Sequence, residues 1–367
     1  MARIVISGTG VFTPPQVITN EELVDSFNDY VAQQQAASDR ERELAPSSVE
    51  FIKKASGIEQ RHVMDKRGIL DIARMRPNLS ARNDSEHSVQ VEMGLAASAE
   101  ALEMSRLSGE DIDTVIVACS NHQRAYPAIA VELQQALGCS GFAYDMNVAC
   151  SSATFGISQA VSLVQSGTSK RVLVVSPEIC TGHLNFRDRD SHFIFGDACT
   201  AVVIESENTS NSEDQYEILS TKLTTKFSNN IRNNRGFLTR CEDREAEDPA
   251  LLFYQEGRKV FKEVTTLVSA LLSEHLQENN LETDQVKCLW LHQANANMNS
   301  LIAKRLLGRD ANEREAPSIL NTYANTSSAG SVIAFHHHRE HIEPGEIGVI
   351  CSFGAGYSIG SVLVRKT

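Results

Sequence analysis

Three short patterns occur twice along this chain, in the same order, and that repetition limits the folds open to it. Leu107-Ser-Gly-Glu-Asp-Ile-Asp precedes an apolar run at 114–119, and Leu281-Glu-Thr-Asp-Gln-Val-Lys precedes a second at 288–292. Phe195-Gly-Asp-Ala leads into Ala201-Val-Val-Ile, as Phe353-Gly-Ala-Gly leads into Ser361-Val-Leu-Val. Cys150-Ser-Ser-Ala opens one helical stretch and Thr326-Ser-Ser-Ala another. Two similar halves are therefore expected, residues 1–206 and 216–367, with the polar segment 207–215 as the join.

Each half alternates strand-like and helix-like runs, the pattern of an α/β fold. Strands are expected at 4–7, 114–119, 172–176, 201–205, 288–292, 347–352 and 361–365. Apolar stripes of helical period lie at 89–105, 129–137, 151–165, 260–276 and 298–307. Segments 32–48 and 65–88 sustain neither period and read as surface excursions or lids. The chain's 367 residues are enough to bury a sizeable core.

Composition excludes several function classes. A formal charge of −13 argues against broad nucleic-acid binding. No apolar run reaches the roughly 18 residues of a membrane span, and the short apolar start after Arg3 is too brief for a secretory signal. The eight cysteines show no paired CxxC spacing. They read as thiols in a reducing compartment, hence a cytoplasmic protein. His336, His337, His338 and His341 lack the carboxylate-backed spacing of a metal site, so a polar helix face is preferred and no metal is expected.

Four places carry candidate chemistry. Cys150, in Asp145-Met-Asn-Val-Ala-Cys150-Ser-Ser-Ala, ends an apolar run at the start of a helix. There the helix dipole would favour the thiolate and the first N–H groups could hold an oxyanion. A buried structural cysteine would look the same. His292 closes the strand Leu289-Trp-Leu and is followed by Gln293-Ala-Asn295, the strand end where α/β folds place functional groups, though core histidines also occur there. Asn325, in Asn325-Thr-Ser-Ser-Ala, is a donor or a plain helix N-cap. Phe353-Gly-Ala-Gly356 is a tight hairpin or a backbone oxyanion site. Gly8-Thr-Gly10 lacks the third glycine of a dinucleotide fingerprint, and no Walker A pattern is present.

Taken together, Asp145-Met-Asn-Val-Ala-Cys150-Ser, His292-Gln-Ala-Asn295, Asn325-Thr-Ser-Ser-Ala and Phe353-Gly-Ala-Gly356 resemble the β-ketoacyl-acyl-carrier-protein synthase III group. Ser56-Gly-Ile-Glu-Gln-Arg61-His62, Tyr126-Pro-Ala, Leu137-Gly138 and Phe195-Gly-Asp197 agree as well, so the resemblance spans nearly the whole chain apart from the two excursions. It implies the five-layered α-β-α-β-α thiolase fold and a cofactor-independent homodimeric acyltransferase of fatty-acid or related acyl biosynthesis. The primer would arrive as acyl-CoA or acyl-ACP, and the second substrate would be malonyl-acyl carrier protein. Cys150 would take the acyl group, with the backbone N–H groups of Cys150 and Ala355 as oxyanion donors. His292 and Asn325 would stabilise the enolate left by decarboxylation. Phe195, Gly354, Gly356 and Arg189 would line the substrate path, and Tyr126 would reach the neighbouring subunit's acyl pocket. Lys304 and Arg305 match a basic pair associated with carrier-protein docking. The family's Trp and two Arg for coenzyme A fall at Phe51, Ala55 and Asn297, so those customary contacts are missing. Other readings are a relative that transfers the acyl group elsewhere or joins two acyl chains without malonate, and a catalytically silent acyl-carrier-binding protein.

Overall fold

The computed structural model describes residues 3–37, 44–245 and 247–367. In the N-terminal part the main strands are β1 (Ile4–Phe12), β4 (Thr114–Ala118), β5 (Phe142–Met146), β6 (Arg171–Ile179) and β7 (Asp197–Ser206). Helices α4 (Val89–Ser105), α5 (Ile129–Leu137) and α6 (Ser152–Gln165) connect them. In the C-terminal part the main strands are β8 (Tyr216–Ser228), β11 (Val286–Leu291), β12 (Ile347–Gly354) and β13 (Gly356–Lys366). Here the helices are α7 (Gly257–Glu278), α8 (Ala296–Leu307), the single turn α9 (Leu320–Tyr323) and α10 (Ala329–His338).

Hydrogen bonds run through the order β5-β4-β6-β7-β1 and then β8-β13-β12-β11. The second series mirrors the first. The partner that would complete it is the stretch around Glu315, whose carbonyl accepts from the Leu289 N–H at 2.7 Å. The two series meet only through Val5↔Glu217 and Ile6↔Tyr216, the first strands of each.

Layering follows from which faces are apolar. Helices α6 and α10 touch strands of both series and form the middle layer. Their small and branched residues, Ala153, Ile157, Ala160, Val332 and Ile333, share one core with Ile6, Ile116, Val174, Trp290 and Val362. Burying each large aliphatic chain contributes roughly 1.5–3 kcal/mol before chain entropy is counted. Helices α4 and α5 cover the outer face of the first series through Val91, Ala97 and Leu133. Helices α7 and α8 cover that of the second through Val264, Leu272 and Ile302. The result is five layers, α-β-α-β-α, from two similar halves.

A cap packs over one end. It holds the hairpin β2 (Gln16–Thr19) and β3 (Gln60–Val63), with α1 (Asn20–Ala37), α2 (Val49–Ser56) and α3 (Lys66–Leu70). Arg61 is its buried pin, donating to Ile18 O, Asn20 Oδ1 and Phe193 O. Segment 65–88 is exposed over most of its length. It contains α3, and Ile69 and Met75 are buried in the cap core, because two apolar residues suffice to anchor an otherwise polar run. Segment 32–48 begins inside α1 and ends at the Ser47–Asn28 contact, while its residues 38–43 lie outside the described residues. A second small hairpin, β9 (Ile231–Asn233) with β10 (Phe253–Gln255), precedes α7. No described helix is long and apolar enough to cross a membrane.

Candidate active site

Strand β5 runs out through Asn147 into a turn made by Ala149, whose φ of 47° lies in the left-handed region. A non-glycine residue there carries strain of roughly 1–3 kcal/mol, retained when its surroundings over-determine it. Asn147 supplies part of that constraint, accepting from the Ala149 N–H at 2.8 Å. Ser152 supplies more, accepting from Val148 N at 2.8 Å and donating to Ala149 O at 2.7 Å. Cys150 is thereby presented at the tip, and α6 starts two residues later.

Opposite it, β12 turns into β13 through Gly354-Ala355-Gly356. A Cβ on Gly354 would lie 2.5 Å from Cys150 Cβ and 2.9 Å from its Sγ, so only glycine admits this approach. Gly356 has φ 129°, again a glycine conformation. The closeness brings the Ala355 N–H to the thiol, together with the N–H of Cys150 itself and the Ser327 hydroxyl. All three favour the thiolate. Burial nevertheless dominates and pushes the thiol up to about 11, with the Glu178 carboxylate adding to the rise. The half-buried thiol is thus pulled both ways, up by removal from water and down by the three donors at the turn.

Asn325 is held in a mirrored turn before α10. Its Oδ1 accepts from Ser327 N at 2.9 Å, which leaves Nδ2 as the available donor. The backbone is clamped to residues 194–196, with Asn325 N on Ile194 O at 3.0 Å and Gly196 N on Asn325 O at 3.1 Å. Ala324 and Ser327, at φ 55° and 51°, bracket the turn. His292 follows β11, its N–H bonded to Cys351 O at 2.7 Å and its ring edge-on to Phe353 at 5.1 Å. Burial lowers the imidazole to about 4 against the pull of the Ser327 carbonyl, so it is neutral at pH 7.

Cys150, His292 and Asn325 line one cavity of about 520 Å³, as do Phe195 and Gly354. Its walls are mostly apolar. Phe51 and Ala55 lie along it, and the Arg189 guanidinium covers the Phe51 ring at 4.1 Å while bonding Pro46 O. Other expected residues stand apart from the lining. Asn297 turns its amide to Lys54 O at 3.4 Å, and Tyr126 is 85% exposed beyond the cavity. Gly356 shapes the hairpin behind Ala355. Lys304 is ion-paired with Asp310 at 3.0 Å, and Arg305 bonds Thr265 and Thr266, both on the outer face of α8. Among the described residues no cluster of His, Cys, Asp or Glu could hold a metal ion.

Sequence reasoning missed Ser327, read only as part of a helix opening. It also missed Ile231 and Phe253 of the β9–β10 hairpin, and Val260 and Val264 of α7 as cavity wall. The apolar stripe of α7 signalled burial, but nothing in it tells a core neighbour from a cavity.

The family described as 3-oxoacyl-[acyl-carrier-protein] synthase III matches residues 137–226, and its C-terminal counterpart matches 276–366. A protein of Pseudomonas aeruginosa named β-ketodecanoyl-[acyl-carrier-protein] synthase is 59% identical, covering 94% of this chain and 98% of its own. The β-ketoacyl-[acyl-carrier-protein] synthase III of Methylococcus capsulatus is 30% identical, over 98% of each. In fold, the crystal structure of the Aquifex aeolicus 3-oxoacyl-[acyl-carrier-protein] synthase III superposes with TM-score 0.77 over all of both chains, at 24% identity. The matched segments span the Cys150 turn, the His292 and Asn325 segments and the Gly354 hairpin, and on the likeness over nearly its whole length this chain belongs to the 3-oxoacyl-[acyl-carrier-protein] synthase III family, a family of acyltransferase condensing enzymes.

Proposed function

We propose that the protein joins an eight-carbon acyl thioester to malonyl-acyl carrier protein, yielding the ten-carbon β-ketoacyl product. The observation that carries this is the apolar-walled cavity with Cys150, His292 and Asn325 on one lining. The chain length follows from the Pseudomonas aeruginosa relative's name, since a β-ketodecanoyl product less the two carbons from malonate leaves eight.

In the first half-reaction Cys150 Sγ attacks the primer's thioester carbonyl, and the carrier thiol leaves with the proton. The resting thiol is protonated, so its proton must be taken up during attack, and neutral His292 in the same cavity is the available base. The N–H groups of Cys150 and Ala355 hold the tetrahedral oxyanion. In the second half-reaction, His292 and the Asn325 Nδ2 donate to the malonyl thioester carbonyl. The bond to the carboxylate breaks, carbon dioxide leaves, and the enolate carbon attacks the acyl-Cys150 carbonyl. Cleavage of the carbon–sulfur bond then expels Cys150 as the thiolate, which takes up a solvent proton to return the resting thiol.

A homodimer formed along β5 fits this reading. Among the described residues that strand pairs with β4 alone, and it exposes Phe142, which is stacked with Tyr144 at 6.4 Å. An open apolar strand edge is a pairing template. Tyr126, exposed on the same part of the chain, would then serve the neighbour's acyl pocket. Lys304 and Arg305 would steer the acidic carrier protein. The eight free cysteines suit a cytoplasmic setting.

The test is a panel of acyl-CoA primers from two to twelve carbons with malonyl-carrier protein, reading the acyl-Cys150 adduct by mass and then the condensed product. Both are expected to peak at eight carbons. A peak at two carbons overturns the primer assignment, and adduct formation without carbon dioxide release overturns the condensation.

A further inference from the structure

Glu178 is an acid that the reaction described above leaves unused. It ends β6, is 1% exposed, and its carboxyl is saturated with donors. Oε1 accepts the Ser120 N–H at 3.0 Å and the Ser328 N–H at 3.2 Å, and takes a short bond from the Ser328 hydroxyl as well. Oε2 accepts the Ser120 hydroxyl at 2.5 Å. Burying a carboxyl is costly unless it is fully bonded, so this arrangement is built rather than incidental.

The two serines lead to the two catalytic turns. The Ser120 carbonyl accepts the Asn147 Nδ2 at 2.7 Å, and Asn147 Oδ1 in turn accepts the N–H of Ala149, the left-handed residue before Cys150. Ser328 begins α10. It directly follows Ser327, whose N–H fixes the Asn325 amide and whose hydroxyl faces the Cys150 thiol. We propose that Glu178 is a positioning residue for the condensation, setting the Cys150 turn through Ser120 and Asn147 and the Asn325 turn through Ser328. This deepens the proposed function and rests on it for the naming of the half-reactions.

Besides the serines, the groups facing the carboxyl are thiols. They are Cys119 after β4, Cys150 before α6, Cys180 after β6 and Cys199 on β7, with Asp145 and Asp197 acting on the same thiols. Burial raises Glu178 to about 7, so its charge changes near neutrality, and the ionised form disfavours the Cys150 thiolate.

Three variants separate this role from simple packing. Glu178→Gln keeps the shape, removes the charge and sets an NH2 where one carboxylate oxygen accepted a serine hydroxyl. Ser120→Ala and Ser328→Ala each cut one arm while keeping the carboxylate, and they carry the test if Glu178→Gln does not fold. Cys150 alkylation by iodoacetamide is followed against pH by mass spectrometry, alongside single-turnover acylation and malonyl decarboxylation. Expected is a fall of half a pH unit or more in the alkylation midpoint of Glu178→Gln, with both half-reactions slowed at least tenfold. Ser120→Ala should slow acylation several-fold more than decarboxylation, and Ser328→Ala the reverse. An unmoved alkylation midpoint, or arms that slow both half-reactions equally, overturns the assignment. Should the wild type fail to decarboxylate malonyl thioester, the proposed function fails, while the alkylation profiles still decide the role of Glu178.

Discussion

The starts of α6 and α10 descend from one repeated pattern, yet they have been fitted to different work. At α6 the strained residue is Ala149, directly before the reactive side chain. At α10 a left-handed-φ residue, Ala324, again stands directly before the functional side chain, and a second, Ser327, follows two residues after Asn325, where its N–H can grip the amide oxygen. The first turn presents a nucleophile, and the second aims a donor. Each is tied into the opposite half. The α6 start is bonded to β13, with Ser151 Oγ on Ser358 O at 3.0 Å and Ser358 Oγ on Val148 O at 3.2 Å. The α10 start is bonded to β6 through Glu178. One tether is a neutral hydroxyl and the other a buried acid. Duplication supplied two equivalent places, and small side-chain changes divided the chemistry between them.

The division can be broken most completely at the nucleophile. Cys150→Ala is expected to lower condensation by about 10⁴-fold or more with the fold retained, since a small side chain is tolerated at the helix start. Loss of the acyl adduct by mass checks it, and condensation near the wild-type rate would remove Cys150 from the reaction. On the other side, Asn325→Ala or His292→Ala should slow malonyl decarboxylation by about 10²–10³-fold, the worth of one oxyanion donor. Asn325→Ala should leave acylation nearly untouched. His292→Ala should slow acylation too if the imidazole takes the thiol proton, so the ratio of the two rates in each variant tells base from donor.

Gly354→Ala tests the place where the halves touch. Its Cβ would meet Cys150 Cβ at 2.5 Å, so the hairpin must retreat, at roughly 1–3 kcal/mol of stability. Acylation should fall more than decarboxylation, because the Ala355 N–H withdraws from the thiol. Thermal melting and single-turnover acylation read the two effects.

The halves also differ in what they bury. Glu178 and Asp197, in the first, are raised by burial to about 7 and about 6. They favour the folded state at low pH and withdraw that contribution as pH rises through those values. His183 and His192 in the first half, and His275, His292 and His336 in the second, are lowered by burial to about 4. The unfolded chain therefore takes up their protons first as pH falls through about 6.5, and stability drops from there to about 4. With five such imidazoles against two carboxyls, a fall in Tm is expected between pH 7 and 5, and it should steepen in Glu178→Gln.

The smallest effect is expected on the outer face of α8. Lys304→Glu with Arg305→Glu should raise the KM for malonyl-carrier protein several-fold at low salt and less at physiological salt. A minimal acyl-thioester primer should be hardly affected. An unchanged KM for carrier protein in steady-state kinetics would remove the docking assignment.

Much of this architecture was legible because the two outer layers and the central helices follow clean periods. Helices α4 and α5 have the bounds that the apolar spacing predicts; most expected strands run longer than predicted, β4 is one residue shorter, and β5 was not among them. Strand β8 was missed. Its apolar residues Ile218, Leu219, Leu223 and Phe227 keep no period of two among Ser, Thr and Lys, and its far end is exposed. In the site, Cys150, His292 and Asn325 were legible as strand-end or helix-start residues in small-residue contexts. The Cys150 pKa was not, because burial by the opposite hairpin is a property of Gly354 and the layers behind it. Glu178 passed as an ordinary strand residue, its partners lying 58 and 150 positions away.

Trp290 is the chain's single tryptophan, fully buried, edge-on to Phe335 at 4.9 Å and two residues before His292. All indole fluorescence of this protein therefore originates where β11 meets α10. Its emission should be blue-shifted in the folded state and move to the red only when that contact opens. Followed beside far-ultraviolet circular dichroism, which averages over every helix, one built-in optical reporter tells whether the C-terminal half loosens before the whole chain does.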